Sequence, residues 1–144
     1  MWYKLFLYIH IISAITSIGP FFILLPMLAK LKSAELAARN AYLDTFRSAN
    51  RLAKHMGHVL VASGIGLVLI GHWSWSTSWI VMTLAILVAS LLFMARAFSP
   101  KLRKFNEPDL DVDKVVHALK RATWTYLILL LVMLWFMVAK PEFW

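Results

Sequence analysis

Gly71-His72-Trp73-Ser74-Trp75-Ser76-Thr77-Ser78-Trp79 interrupts a run of 41 residues, His55–Ala95, that contains no Asp, Glu, Lys or Arg. A helix needs about 20 apolar residues to cross a bilayer, so the run is long enough for two crossings. The small, polar and aromatic residues in its middle supply the turn. The run reads as two transmembrane helices joined by a tight connection.

Two further charge-free stretches flank it: Leu5–Ala29, of 25 residues, and Ala122–Ala139, of 18. Together they predict an all-α, four-transmembrane-helix bundle in one integral membrane domain over residues 1–144. The expected helices cover about 3–30, 53–72, 78–98 and 111–139, the lengths that a bilayer demands. Composition agrees. Hydrophobic residues make up 61% of the 144 and charged residues 15%, against about 45–50% and 25% in soluble domains. A core of this size cannot hide so much apolar surface from water, so the surrounding solvent is lipid.

The net charge of +8 is placed by topology rather than by nucleic-acid binding. Lys30, Lys32, Arg39, Arg47, Arg51 and Lys54 lie between the first two spans. Arg96, Lys101, Arg103, Lys104, Lys114, Lys120 and Arg121 lie between the last two, and only Lys4 and Lys140 fall on the other side. The positive-inside rule then puts both basic segments in the cytoplasm, where they meet anionic lipid, and both termini outside. Trp73, Trp75 and Trp79, with Trp2, Tyr3, Phe143 and Trp144, mark the outer interface as aromatic anchors. The N-terminal run has one Lys, excessive apolar length and no A-x-A site, so it reads as a retained helix rather than a secretion signal.

The basic segments carry structure of their own. Leu36, Tyr42, Leu43, Phe46, Ala49 and Leu52 recur at helical spacing, which predicts an amphipathic interfacial stretch. Pro100 and Pro108 bracket an expected turn, and Asp109, Asp111 and Asp113 suit the first turn of the last helix. Gly57, Gly64 and Gly71 repeat every seven residues and predict a close-packing face, the natural surface for a homodimer.

There are no cysteines, which removes disulfides, thiolate metal sites and iron–sulfur clusters. No carboxylate lies inside a span, and phosphate-loop and nucleophile motifs are absent. What remains for chemistry is histidine and methionine. An ionisable group at membrane depth is costly unless satisfied, so His10 is the leading site residue. It shares a helix face with Ser13, Ala14 and Ser17, and it lies roughly 10 Å below the outer surface at 1.5 Å per residue. Its ring either binds a metal or haem, relays protons, or makes an inter-helix hydrogen bond to a hydroxyl or carbonyl.

Met133 is expected at a similar depth on the last helix, with Met137 nearer the surface and Met82 as the third-helix equivalent. His and Met form a known haem axial pair, and thioethers also suit Cu(I). His58 is the strongest of the cytoplasmic-side histidines, ahead of His55 beside Lys54 and His117 among cations. His72, in the outer turn, is near enough to the surface to touch a cofactor edge.

His10-Ile-Ile-Ser-Ala-Ile, followed by Gly19 and Leu25-Pro26-Met27-Leu28, resembles the first helix of a group of small bacterial four-helix membrane proteins. That uncharacterised group neighbours the haem-dependent protoporphyrinogen oxidase of the HemJ type and the copper-resistance protein D (CopD) domain. The closing Val138-Ala139-Lys140-Pro141 is similar to the oxidase's end. The resemblance implies a bacterial cytoplasmic membrane protein that binds haem b through His10. The chain departs from the oxidase in having no Lys or Arg between Lys54 and Arg96, and in placing Lys4 six residues before His10. These departures fit the uncharacterised group better.

The leading expectation is a haem b site with His10 as axial and metal ligand and Ser13, Ser17, His58, His72 and Met133 as candidate surroundings. Electron transfer, haem handling and porphyrin oxidation are the roles it would serve, and none of these residues decides whether the chain is an enzyme. The alternatives are a copper-handling protein using His10 and methionines, and a non-catalytic accessory subunit of a larger membrane complex.

Overall fold

Backbone amides in lipid have no water to bond, so a spanning segment closes its hydrogen bonds within its own helix. The computed structural model, which describes Met1 to Trp144, follows that rule and is all-helical. Helix α1 covers Trp2–Lys30 and continues through Pro20 and Pro26. Helix α2 covers Leu36–Ile70, α3 Ser78–Ala97, α4 Ser99–Arg103 and α5 Val112–Ala139, with a single 3-10 turn at Lys104–Asn106. Four helical segments are long and apolar enough to cross a membrane: Trp2–Lys30, Leu36–Ile70, Ser78–Asn106 and Val112–Ala139.

The amphipathic stretch and the second span are one continuous helix, so α2 begins at Leu36 rather than near residue 53. Leu43, Phe46, Ala53, Leu60 and Ser63 form its buried stripe, and no breaker divides it. Pro100 lies in the first turn of α4 instead of ending a helix, because a proline there forfeits no intrahelical bond. The acidic cluster acts as expected at the start of α5. Asp111 is the N-cap, and its Oδ1 accepts from the Lys114 backbone N–H at 3.3 Å.

Gly71, His72 and Trp73 build the end of α2. His72 takes a left-handed backbone, with φ of 53°. The His72 N–H reaches the Leu69 carbonyl at 3.3 Å and the Trp73 N–H the Val68 carbonyl at 3.1 Å. This is a Schellman ending whose left-handed position holds His rather than the usual Gly. The glycine stands one residue earlier because a Cβ at Gly71 would lie 2.6 Å from the Trp73 ring and 2.8 Å from the Leu67 carbonyl oxygen.

Helix α1 packs along α2 and against α5, and α5 packs against α3, whereas α2 and α3 make little contact beyond the turn joining them. Three seams are closed and the fourth is open. At one end Lys32 meets Asp113 at 3.8 Å, joining the two basic segments. At the other, the C-terminal residues fold onto the α2–α3 turn. Ser78 Oγ donates to the Pro141 carbonyl at 2.9 Å and accepts from the Phe143 N–H at 3.1 Å, while Trp144 Nε1–H donates to the Ser76 carbonyl at 2.9 Å.

The interior differs between the ends. Phe21, Phe46, Phe98 and Tyr126 interlock toward the basic end, with ring centroids 4.8 Å apart for Phe21–Tyr126 and 5.6 Å for Phe46–Phe98. All four are buried. Toward the terminal end the same helices leave a cavity. Within the chain the members of the seven-residue glycine repeat meet different neighbours, and Gly71 lies against Trp73. Gly64 lies against His10, Gly66 against Phe6, and Gly57 faces open space.

Candidate functional site

The cavity has a volume of about 560 Å³ and is lined by 27 residues, 22 of them hydrophobic. That is within the range of about 300–1,000 Å³ common to small-molecule and cofactor sites. Its walls come from α1 (Leu7, Ala14, Ile18), α2 (Leu60, Val61, Val68), α3 (Ile80, Leu84, Leu87) and α5 (Leu131, Leu134, Val138). Trp73, Trp75 and Trp79 line it from the turn side. Five lining residues are not hydrophobic: His10, Gly19, Gly64, Thr83 and Lys140. The Thr83 hydroxyl already donates to the Trp79 carbonyl at 2.7 Å. Among these five, one imidazole and one ammonium are left as reactive groups, beside the Tyr3 phenol and the Met137 thioether on the same wall.

His10 is half-buried, and its ring is fixed by α2. Nδ1 lies 3.0 Å from the Leu60 carbonyl oxygen and 3.0 Å from Ser63 Oγ. A carbonyl can only accept, so Nδ1 carries the proton and donates it. Ser63 in turn donates to the Val59 carbonyl at 2.8 Å, which leaves its oxygen facing the imidazole as an acceptor. Nε2 has no hydrogen-bond partner in the chain and keeps its lone pair. This is the tautomer in which a histidine ligates a metal, its far nitrogen tied to a backbone carbonyl. Gly64 makes the approach sterically feasible, since even a single Cβ there would sit 3.1 Å from His10 Cε1.

Lys140 is the C-cap of α5 in a left-handed conformation, with φ of 46°, and its N–H bonds the Phe136 carbonyl. Its ammonium stands 5.0 Å from the Trp73 ring centroid and 5.3 Å from that of Trp79. Cation–π contact holds the charge beside the cavity wall without neutralising it.

The other sequence candidates separate. Ser13 and Ser17 are buried on the His10 face, but neither hydrogen-bonds the ring. Ser13 donates to the Ile9 carbonyl at 2.7 Å and Ser17 to the Ala53 carbonyl at 3.3 Å, so the second serves the α1–α2 seam. Ser63, which sequence reasoning passed over, orients the imidazole instead; its one sequence signal is a hydroxyl beside Gly64 in a charge-free span. Met133 is 1% exposed and sits in the packed core, whereas Met137 lines the cavity. His58 and His72 are exposed and line no part of the cavity, and His55 and His117 are exposed as well. His72 serves the helix ending described above. No group of three or more His, Cys, Asp or Glu side chains is arranged to hold a metal ion.

No protein-family model, curated protein or solved structure matches this chain. The geometry of the cavity therefore carries the functional argument.

Proposed function

We propose that the chain is a haem b-binding protein of the bacterial cytoplasmic membrane, with His10 as the axial ligand. One observation supports this reading above the rest: His10 lines a large apolar cavity with Nδ1 tethered to Leu60 and Nε2 unpartnered. A bare metal ion is ordinarily held by three or more protein donors. A single imidazole suffices for iron that arrives with four positions filled by a macrocycle, which also needs apolar walls of this extent. A copper-handling role has only His10 and Met137 to draw on among the lining residues.

Haem supplies one-electron redox chemistry when bound. The residues of this chain would hold and orient it. His10 presents Nε2, and the Leu60 carbonyl raises its basicity through the Nδ1–H bond. Leu7, Ile18, Leu84 and Leu131 would keep water away from the bound group. Lys140 would offer a cation to the group's carboxylates, and Met137 is the thioether that lines the cavity. The basic segments face the cytoplasm, and the termini and tryptophans the outer surface.

An absorption spectrum of detergent-solubilised protein, oxidised and then reduced, tests the reading. Wild type purified from haem-replete cells is expected to show a Soret band that His10→Ala abolishes or shifts. A colourless wild type that also fails to take up added haem overturns it.

A further inference from the structure

A second pocket lies at the opposite end of the molecule, with a volume of about 800 Å³. It is formed where the end of α1, the α3–α4 junction and the first half of α5 meet. Lys32, Lys101, Lys114 and Arg121 contribute four cations to its wall, with His117 beside them, and Asp113 is its single carboxylate.

The ion pairs around it are unequal. Asp113 is matched by Lys32 at 3.8 Å, and Lys114 by Asp111 at 3.3 Å. Lys101 and Arg121 have no carboxylate within 4.0 Å. Two cations on facing elements, α4 and α5, are thus left uncompensated in a shared concavity. Their shared positive potential favours an anion placed between them, more so where lipid rather than water surrounds the site.

The remaining lining residues indicate what kind of anion. Phe93, Ala122 and Thr125 belong to the charge-free runs of α3 and α5, and Thr125 spends its hydroxyl on the Arg121 carbonyl at 2.9 Å. The pocket therefore has an apolar floor at membrane depth and a cationic rim where the helices leave it. Arg121, Ala118, Ala122 and Thr125 lie on one face of α5, so floor and rim are continuous along a single helix. A soluble anion would use the rim alone, whereas an amphiphile uses both. Basic pockets between transmembrane helices on the cytoplasmic side suit phospholipid headgroups.

We propose that this pocket is a binding site for one anionic phospholipid, its phosphodiester held between Lys101 and Arg121 and an acyl chain laid against Phe93, Ala122 and Thr125. The site is independent of the haem reading and survives its failure.

The test titrates phosphatidylglycerol, phosphatidylcholine and inorganic phosphate separately into detergent-solubilised full-length protein and follows bound species by native mass spectrometry. Phosphatidylglycerol is expected to saturate at one per chain and to bind more tightly than the other two. Each rim cation is worth a factor of roughly 5 near an anionic headgroup. Arg121→Gln should therefore weaken phosphatidylglycerol about 5-fold, and the double variant with Lys101→Gln about 25-fold. The pair Arg51→Gln and Lys54→Gln removes equal charge from exposed α2 positions at the same end and should leave affinity unchanged. Equal weakening by that pair would reduce the effect to general surface attraction and overturn the proposal. So would equal binding of phosphatidylcholine, and inorganic phosphate binding as tightly as the lipid would replace it with a soluble-anion site.

Discussion

The Nδ1 of His10 donates to the carbonyl oxygen of Leu60 across 3.0 Å, joining α1 to α2 at membrane depth. One hydrogen bond therefore does two things. It satisfies the polar group that would otherwise be costly in lipid, and it sets the tautomer that leaves Nε2 free at the cavity. Inter-helix bonds of this kind contribute only about 0.6 kcal/mol on average in membranes. The fold does not depend on it. The orientation of the ring does.

Gly64 gives a way to disturb the ring without removing it. A Cβ at this position would lie 3.1 Å from His10 Cε1, so Gly64→Ala obliges the imidazole to shift by a few tenths of an ångström. On the proposed haem reading, affinity for added haem is expected to fall about 10–100-fold, as when a ligand's supporting contacts are altered. Gly57→Ala meets no atom within 4 Å and should be silent. Equilibrium haem titration of the two variants makes the comparison, and equal affinities would show that ring position is immaterial.

The turn after α2 predicts opposite effects at adjacent positions. His72→Gly removes a left-handed non-glycine residue and should stabilise the protein by about 1 kcal/mol. Gly71→Ala drives a methyl into the Trp73 ring and the Leu67 carbonyl, and should destabilise by roughly 1–3 kcal/mol. Thermal unfolding in detergent, followed by circular dichroism, reads both. On the proposed haem reading, the absorption spectrum of His72→Gly should match wild type, since His72 lines no part of the cavity.

Asp111 predicts a pH dependence at the start of α5. The Lys114 backbone N–H and then its ammonium hold this carboxyl below the usual carboxylate range. A carboxyl with a folded value below its unfolded one binds fewer protons when folded, so its stabilisation grows with pH across that window. The contribution is complete above the unfolded value of about 4 and disappears as pH falls through the lower folded value. Protection of the Lys114 amide, corrected for intrinsic exchange, should decline over that acid range. Asp111→Asn keeps an oxygen acceptor but cannot titrate, so its protection should be flat with pH.

The four spans were legible from the sequence because charge exclusion is a one-dimensional property. Leu5–Ala29, His55–Ala95 and Ala122–Ala139 announce themselves by what they lack. The same reading placed His10, Ser13 and Ser17 on an inward face, since helical periodicity alone decides that. It erred where continuity was at stake. Nothing polar enough to stop a helix separates Leu52 from Ala53, yet the change from amphipathic to wholly apolar composition suggested a boundary where α2 has none.

Choices between neighbours on a helix needed the fold. Met133 and Met137 are separated by only about 40° around α5 at 3.6 residues per turn. A rotation of that size decides that Met133 enters the core and Met137 the cavity. Ser63 lies 53 residues from His10, and no local pattern connects them.

Sequence by itself determined that this chain belongs in lipid, how many times its helices can cross, and that one imidazole lies at depth. These three facts follow from composition and periodicity, which each residue carries alone. Tertiary structure decided that α2 and α3 stay apart, that a cavity opens beside His10, and that Leu60 and Ser63 hold the Nδ1 side of its ring. Those outcomes depend on the rotation and spacing of whole helices, set by many side chains packing at once.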